Sequence, residues 1–301
     1  MRHLLEIDDL TPDELGAVIE RCEAAPETLG APYAGRGVAC LFEKPSARTR
    51  NSTEIAVVQL GGHPVYIVGD EVGIDKRETA EDIARTLACY HHAICARVFR
   101  HSVLERMAAL DVAPVINLLS DEGHPLQAIA DVLTIRAELG SVEGKVVTYV
   151  GDANNVTRSL ALAVGYLGGT TRVASPSGYR FSDRDLDRLT LAGVLVESFE
   201  HAGEALEGAD VVYTDTWVSM GQEAERERRL RDFEGFCVDD RLLSVAGPRA
   251  VFMHCLPAHR GEEVAASVLD GPQSRIWPQA ANRLRSARGV LAWIAEQNGI
   301  A

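Results

Sequence analysis

The sequence predicts an α/β fold made of two doubly wound, largely parallel sheets. Three observations predict it. Helix and strand patterns alternate along all 301 residues, the order that parallel sheets with covering helices require. That length exceeds the roughly 100–200 residues of one ordinary domain. Polar clusters also recur at the carboxyl ends of the predicted strands, where open parallel sheets bind ligands.

Thr11, followed by Pro12 and by Glu14, forms a capping box with proline at the first helical position and opens a helix through about Glu23. A strand at Gly37–Phe42 leads through Glu43, Lys44 and Pro45 into a helix over 48–60, which Gly61 and Gly62 stop. Further strands are expected at 64–68, 93–98 and 114–117. From Pro125 to Leu139 the apolar positions 126, 129, 130, 133 and 137 have helical spacing, and Gly140 ends the run. This is read as an interdomain helix. A second series of strands follows at 145–150, 171–174, 210–214 and 250–253, with helices between. The last helix, from about 279 to 297, carries apolar positions 284, 287, 290, 291 and 294.

Composition narrows the function. Asp and Glu number 44 against 30 Lys and Arg, a net charge of −14, which opposes a nucleic-acid partner because phosphate neutralisation needs a basic face. Hydrophobic residues at 46% and charged residues at 25% are those of an ordinary globular chain. No apolar run approaches the roughly 20 residues that span a bilayer. The opening MRHLLEIDDL places acids where a secretory segment needs an apolar run, so no membrane association and a cytoplasmic location are expected. Six cysteines without a CxxC pair are expected to be mostly reduced and buried.

The candidate chemistry lies after the strands. Ser46, Ala47, Arg48, Thr49 and Arg50 combine hydroxyls, guanidiniums and free backbone N–H groups at a helix start, where the dipole favours an anion such as phosphate. No GxxxxGK[ST] loop is present, which disfavours nucleotide triphosphate hydrolysis. Arg97, with Arg100 and His101, closes the strand at 93–98, and His124 to Gln127 come after the one at 114–117. In the second half, Asn154 and Asn155, then Asp215 to Gly221, then His254 to Pro257 follow their strands, and Asp215, Asn155 and Ser219 suit an amino acid's ammonium and carboxylate. Six clusters at strand ends point to one cleft that joins an anionic phosphate compound to an amine-bearing partner.

These motifs closely resemble those of the ornithine carbamoyltransferases: Ser46 to Arg50 with Glu54, His124-Pro125-Leu126-Gln127, Asn154-Asn155, Asp215 to Gly221, and His254-Cys255-Leu256-Pro257, in order along nearly the whole chain. The first two are shared with aspartate carbamoyltransferase; the last two are similar to the ornithine branch. The resemblance implies a carbamoyl-phosphate domain over 1–135 and 284–301, an ornithine domain over 136–283, and a last helix that returns to the first domain. It also implies a homotrimer, no cofactor and no metal. Carbamoyl phosphate would be held by Ser46, Ala47 (backbone), Arg48, Thr49, Arg97, His124, Gln127, Cys255, Leu256 and Arg283, and ornithine by Asn155, Asp215, Ser219 and Met220. Arg97, His124, Cys255 and Thr49 would take part in catalysis. Two departures stand out: Ala47, where relatives carry a polar side chain, and Ala281, where they carry an acid before Asn282-Arg283.

Other readings set the contrast. A sister transferase would use putrescine or an acylated ornithine, with specificity redirected by a single contact. Gly151 to Asn155 lacks the G-x-G-x-x-G of a dinucleotide loop. A binding subunit without catalysis is motivated by Ala47 and Ala281. His254 and Cys255 are expected on opposite faces of a strand, which opposes a Cys–His dyad, and His254, Cys255 and His259 match no common zinc spacing. Trp217 is expected in packing, and the charge alternation of Gln222 to Asp232 reads as a solvated helix face, while the resemblance suggests a lid.

Overall fold

The computed structural model describes residues 1–218 and 223–300. The chain divides into two compact units, Met1–Leu133 with Asn282–Ala301, and Thr134–Ala281. Both divisions fall two residues before the expected boundaries and inside continuous helices, where no glycine or proline marks a break. Arg283 therefore belongs to the first unit, with the residues of the phosphate half.

The first unit holds α1 (Pro12–Glu23), β1 (Gly37–Phe42), α2 (Ala47–Gln59), β2 (His63–Val68), α3 (Gly69–Val72), α4 (Ala80–Ala88), β3 (His91–Arg97), α5 (His101–Ala108), β4 (Val115–Leu119) and most of α6 (Pro125–Leu139). Its four strands lie parallel in the order β2-β1-β3-β4. Thr11 caps α1 as expected, its side chain accepting from the Glu14 N–H while the Glu14 carboxylate accepts from the Thr11 N–H. Helix α4 buries Ala80, Ile83, Ala84 and Leu87, at i, i+3, i+4 and i+7, against Leu41, Ile94 and Leu104.

The second unit holds β5 (Val146–Val150), α7 (Asn155–Tyr166), β6 (Thr170–Ala174), α8 (Asp183–Leu191), β7 (Val196–Phe199), α9 (Ala202–Leu206), β8 (Val211–Thr214), α10 (Arg226–Asp232), α11 (Asp240–Ala246), β9 (Val251–His254) and α12 (Ala266–Leu269). Its parallel order is β7-β6-β5-β8-β9. The edge strand β7 is the one the sequence reading omits: it is four residues long and only half-buried, so its apolar alternation is weak. The last helix, α13 (Ile276–Gln297), starts in the second unit and ends in the first. There Leu291 accepts from the Tyr33 hydroxyl at 3.2 Å, and Arg288 donates to Gln59 at 2.9 Å.

Each sheet reverses its strand order once. In the first the reversal lies between β1 and β3, in the second between β5 and β8. At such a point the flanking connections leave in opposite directions and open a crevice at the carboxyl ends. Residues 43–49 and Arg97 border the first reversal; Gly151 to Asn155 and Asp215 border the second. No described helix is long and apolar enough to cross a membrane. All six cysteines are free, and Cys22, Cys40 and Cys95 are buried; Cys89 is exposed, while Cys237 and Cys255 are intermediate, so half rather than most follow the expectation.

Candidate active site

In the first unit, Ser46 is the N-cap of α2 and its Oγ accepts from the Thr49 N–H at 3.3 Å. Ala47 and Arg48 stand exposed on the first turn, beside the positive end of a 13-residue helix. The Thr49 side chain turns inward and is buried. Its Oγ1 accepts from Arg97 Nη1 at 3.4 Å and from Arg283 Nη2 at 3.3 Å, with Ser46 Oγ at 3.1 Å. One hydroxyl thus gathers two buried guanidiniums from β3 and α13. Arg283 Nη1 also donates to Gln127 Oε1, and Gln127 Nε2 donates to Asp131 Oδ1 at 2.7 Å. Burial, reinforced by the Arg283 and Arg97 charges, holds the His124 ring well below the usual imidazole range, so it is neutral at pH 7. Ala281 is exposed, and Arg283 takes its orientation from Gln127 and Thr49 rather than from a carboxylate at 281.

The second unit carries the opposite sign. Asp215 is buried at the end of β8, and its Oδ1 accepts from the Thr216 N–H at 2.7 Å and from the Cys255 thiol at 3.0 Å. Burial pushes its carboxyl above the ordinary range, against the opposing pull of His254 and the Cys255 bond. Asp152, after β5, is likewise raised by burial and held back by Arg229, whose Nη1 lies 2.7 Å from its Oδ2. Asn154 caps α7 through bonds from the Val156 and Thr157 N–H groups, which makes Asn155 the first helical residue. Ser219 and Met220 lie outside the described residues.

Strand β9 ends at His254, so the alternation that would separate the faces of His254 and Cys255 does not extend to the thiol. The ring is engaged instead. Its Nδ1 accepts from the Leu256 N–H at 2.9 Å, which places the proton on Nε2, 3.2 Å from Glu263 Oε1. Leu256 takes φ +60°, a left-handed conformation costly for a side chain with a Cβ, and these bonds hold it there. Asp215, His254 and Cys255 bring potential ligand atoms within 4.8 Å of one another, as do His259, Glu262 and Glu263. In the first group both His254 nitrogens are engaged; in the second, Arg226 holds both Glu262 oxygens.

Trp217 is buried and stacked on Phe233, with ring centroids 5.2 Å apart. Its carbonyl accepts from Arg229 Nη1 at 3.0 Å. The charged stretch before Asp232 is therefore not a uniformly solvated face: Arg229 is 7% exposed and touches Asp152, Trp217 and Glu225. Asp131 and Glu263, both fully buried, also escaped the sequence reading. The signal for Asp131 is a lone acid inside an apolar run, at i+4 from Gln127; Glu263, which follows Arg260, Gly261 and Glu262, has no such signal.

Residues 2–137 match the profile of the aspartate/ornithine carbamoyltransferase carbamoyl-P binding domain, and residues 143–294 that of the Asp/Orn binding domain. A protein named ornithine carbamoyltransferase from Hyperthermus butylicus is 46% identical, covering 97% of each chain, and its counterpart from Acidothermus cellulolyticus is 46% identical over 99% of this chain and 98% of its own. Among solved structures, ornithine carbamoyltransferase from Pyrococcus furiosus superposes with a TM-score of 0.90 at 41% identity, covering 97% of this chain and 96% of that one. The anabolic enzyme from Campylobacter jejuni gives 0.91 at 32% identity, covering 99% and 100%. With both domain profiles matched in order, and relatives this similar along nearly the full length, the chain belongs to the aspartate/ornithine carbamoyltransferase family.

Proposed function

We propose that the protein transfers the carbamoyl group of carbamoyl phosphate to the side-chain amine of L-ornithine, giving L-citrulline and phosphate. The observation that carries the choice of acceptor is Asp215, a buried carboxylate paired with the Cys255 thiol. That environment suits a cationic amino acid and repels the two carboxylates of aspartate. An uncharged N-acyl group gains nothing from it.

In this reading the phosphate rests on Ser46, the Ala47 N–H, Arg48 and Thr49. Arg97, His124 and the Thr49 hydroxyl face the carbonyl oxygen, and Gln127 with the main-chain carbonyls of Cys255 and Leu256 meets the carbamoyl amine, while Arg283 acts on that amine through Gln127, to which it donates. Asn155, Asp215, Ser219 and Met220 hold ornithine. An alkylamine has a pKa of about 10.4 and must lose its proton before attack. Asp215 and Cys255 are the groups placed to orient it. As the N–C bond forms, negative charge grows on the carbonyl oxygen, where Arg97 and Thr49 stabilise it. The bond from the carbonyl carbon to the phosphate oxygen then breaks with its electron pair leaving on phosphate, which takes the proton that the nitrogen sheds as the N–C bond forms, the earlier ammonium proton having left to solvent on binding. A neutral His124 serves this step as a hydrogen-bond donor from one ring nitrogen, without adding a third charge to two guanidiniums.

The same reading places the protein in arginine biosynthesis, in the cytoplasm, as a homotrimer. Light scattering at the mass of three chains supports the last point, and a monomer mass rejects it. A citrulline assay with carbamoyl phosphate and L-ornithine, L-aspartate, putrescine or N-acetylornithine tests the reaction. Turnover with ornithine alone is expected, while a preference for another amine assigns a different acceptor.

A further inference from the structure

Helix α6 is apolar on most of its surface, yet it buries a carboxylate completely. Asp131 is 0% exposed and stands one turn beyond Gln127, itself 1% exposed. At this i, i+4 spacing their side chains meet, and Gln127 Nε2 donates to Asp131 Oδ1 at 2.7 Å. A side-chain amide has two orientations that look alike in shape and opposite in hydrogen bonding. The carboxylate resolves the choice, because it only accepts. With Nε2 committed to Asp131, the Gln127 carbonyl oxygen must point the other way, and it does so, accepting from Arg283 Nη1. One lone pair of that oxygen takes Arg283, whose Nη2 also donates to Thr49 Oγ1; a carbonyl oxygen has a second lone pair with which to accept.

This bears on a discrimination the phosphate subsite cannot make. Carbamoyl phosphate and acetyl phosphate have the same phosphate, the same carbonyl and nearly the same shape. They differ in an NH₂ that donates two hydrogen bonds and a CH₃ that donates none. We infer that Asp131 is a positioning residue that fixes Gln127 with its carbonyl oxygen toward the substrate, and so selects the amide-bearing acyl phosphate over acetyl phosphate. The inference rests on the carbamoyl-transfer reading and deepens it. A buried acceptor built for a donor rejects the ligand that lacks one, since the lone pair that Arg283 does not fill is then left without a donor. An inverted amide would set its own NH₂ against the carbamoyl NH₂, two donors facing each other.

The test separates this role from plain stability. Wild-type turnover of carbamoyl phosphate with ornithine establishes the underlying reaction; without it that reading fails, whatever Asp131 does. Thermal shifts by carbamoyl phosphate and by acetyl phosphate then report binding without the acceptor. In Asp131→Leu, kcat/KM for carbamoyl phosphate is expected to fall about 30-fold, while inhibition constants for acetyl phosphate and inorganic phosphate change less than about 3-fold. Asp131→Asn, which keeps an acceptor in one of its own two orientations, is expected to fall between wild type and Asp131→Leu. Should Asp131→Leu fail to fold, the Asn variant alone must still lose about 3- to 10-fold in selectivity. Equal weakening of all three phosphates, or full selectivity in a folded variant, overturns the inference.

Discussion

The two units use one topological device for opposite charges. In the first, the reversal between β1 and β3 gathers Arg97, Arg283 and a helix N-terminus around the Thr49 hydroxyl, and the nearby histidine is forced neutral. In the second, the reversal between β5 and β8 gathers Asp152 and Asp215, whose carboxyls burial pushes upward. The comparison teaches that strand order decides where a site can form, and side chains decide what it takes. The cationic unit draws its groups from elements far apart in sequence, whereas the anionic unit relies on Arg229 to compensate one of its two acids.

The largest expected effect is on the cationic side. Arg97→Ala removes the donor proposed for the developing oxyanion and is expected to lower kcat by about 10²- to 10³-fold with unchanged circular dichroism. A kcat within about 3-fold of wild type removes Arg97 from the mechanism. On the anionic side, Arg229→Gln leaves Asp152 without its cation and frees the Trp217 carbonyl. It is expected to cost about 3 kcal/mol of unfolding free energy in urea and to raise KM for ornithine about 10-fold, with KM for carbamoyl phosphate unchanged. An equal rise in both constants would erase the division between the units.

The smallest effect is a slope. Burial and two guanidiniums keep the His124 pKa well below 6.5 in the folded chain, while an unfolded chain takes up this proton near 6.5. The unfolded state therefore binds more protons below that pH, and stability falls as the pH drops from 6.5 toward 5. Above 6.5 the group contributes no slope. His124→Asn is expected to flatten this part of the urea-midpoint profile, and an unchanged profile would contradict the assignment.

Much of the fold is legible in the sequence because its signals are local. The Thr11–Glu14 capping box, Gly37–Phe42 and Pro125–Leu139 are each found where punctuation and periodicity place them. Strand β7 is not, since a short half-exposed edge has little pattern to show. The strand-end rule finds the motif clusters, four of them beside the two reversals and two after the edge strands β4 and β9, yet it misses the residues that hold them. Arg229 reaches Asp152 across 77 positions, a pairing invisible to any local window, and a run of alternating charge hides its burial. Asp131 is missed for another reason: periodicity counts apolar positions and ignores a lone acid among them. Ala47 and Ala281, which look like losses in the sequence, fall at exposed positions in the structure.

The division of labour is tested most directly by measuring KM for both substrates in Asp215→Asn and Arg283→Gln. A crossed result is expected: Asp215→Asn raises KM for ornithine by about 10-fold or more with that for carbamoyl phosphate within about 2-fold, and Arg283→Gln does the reverse. Parallel changes in both constants for either variant would contradict it.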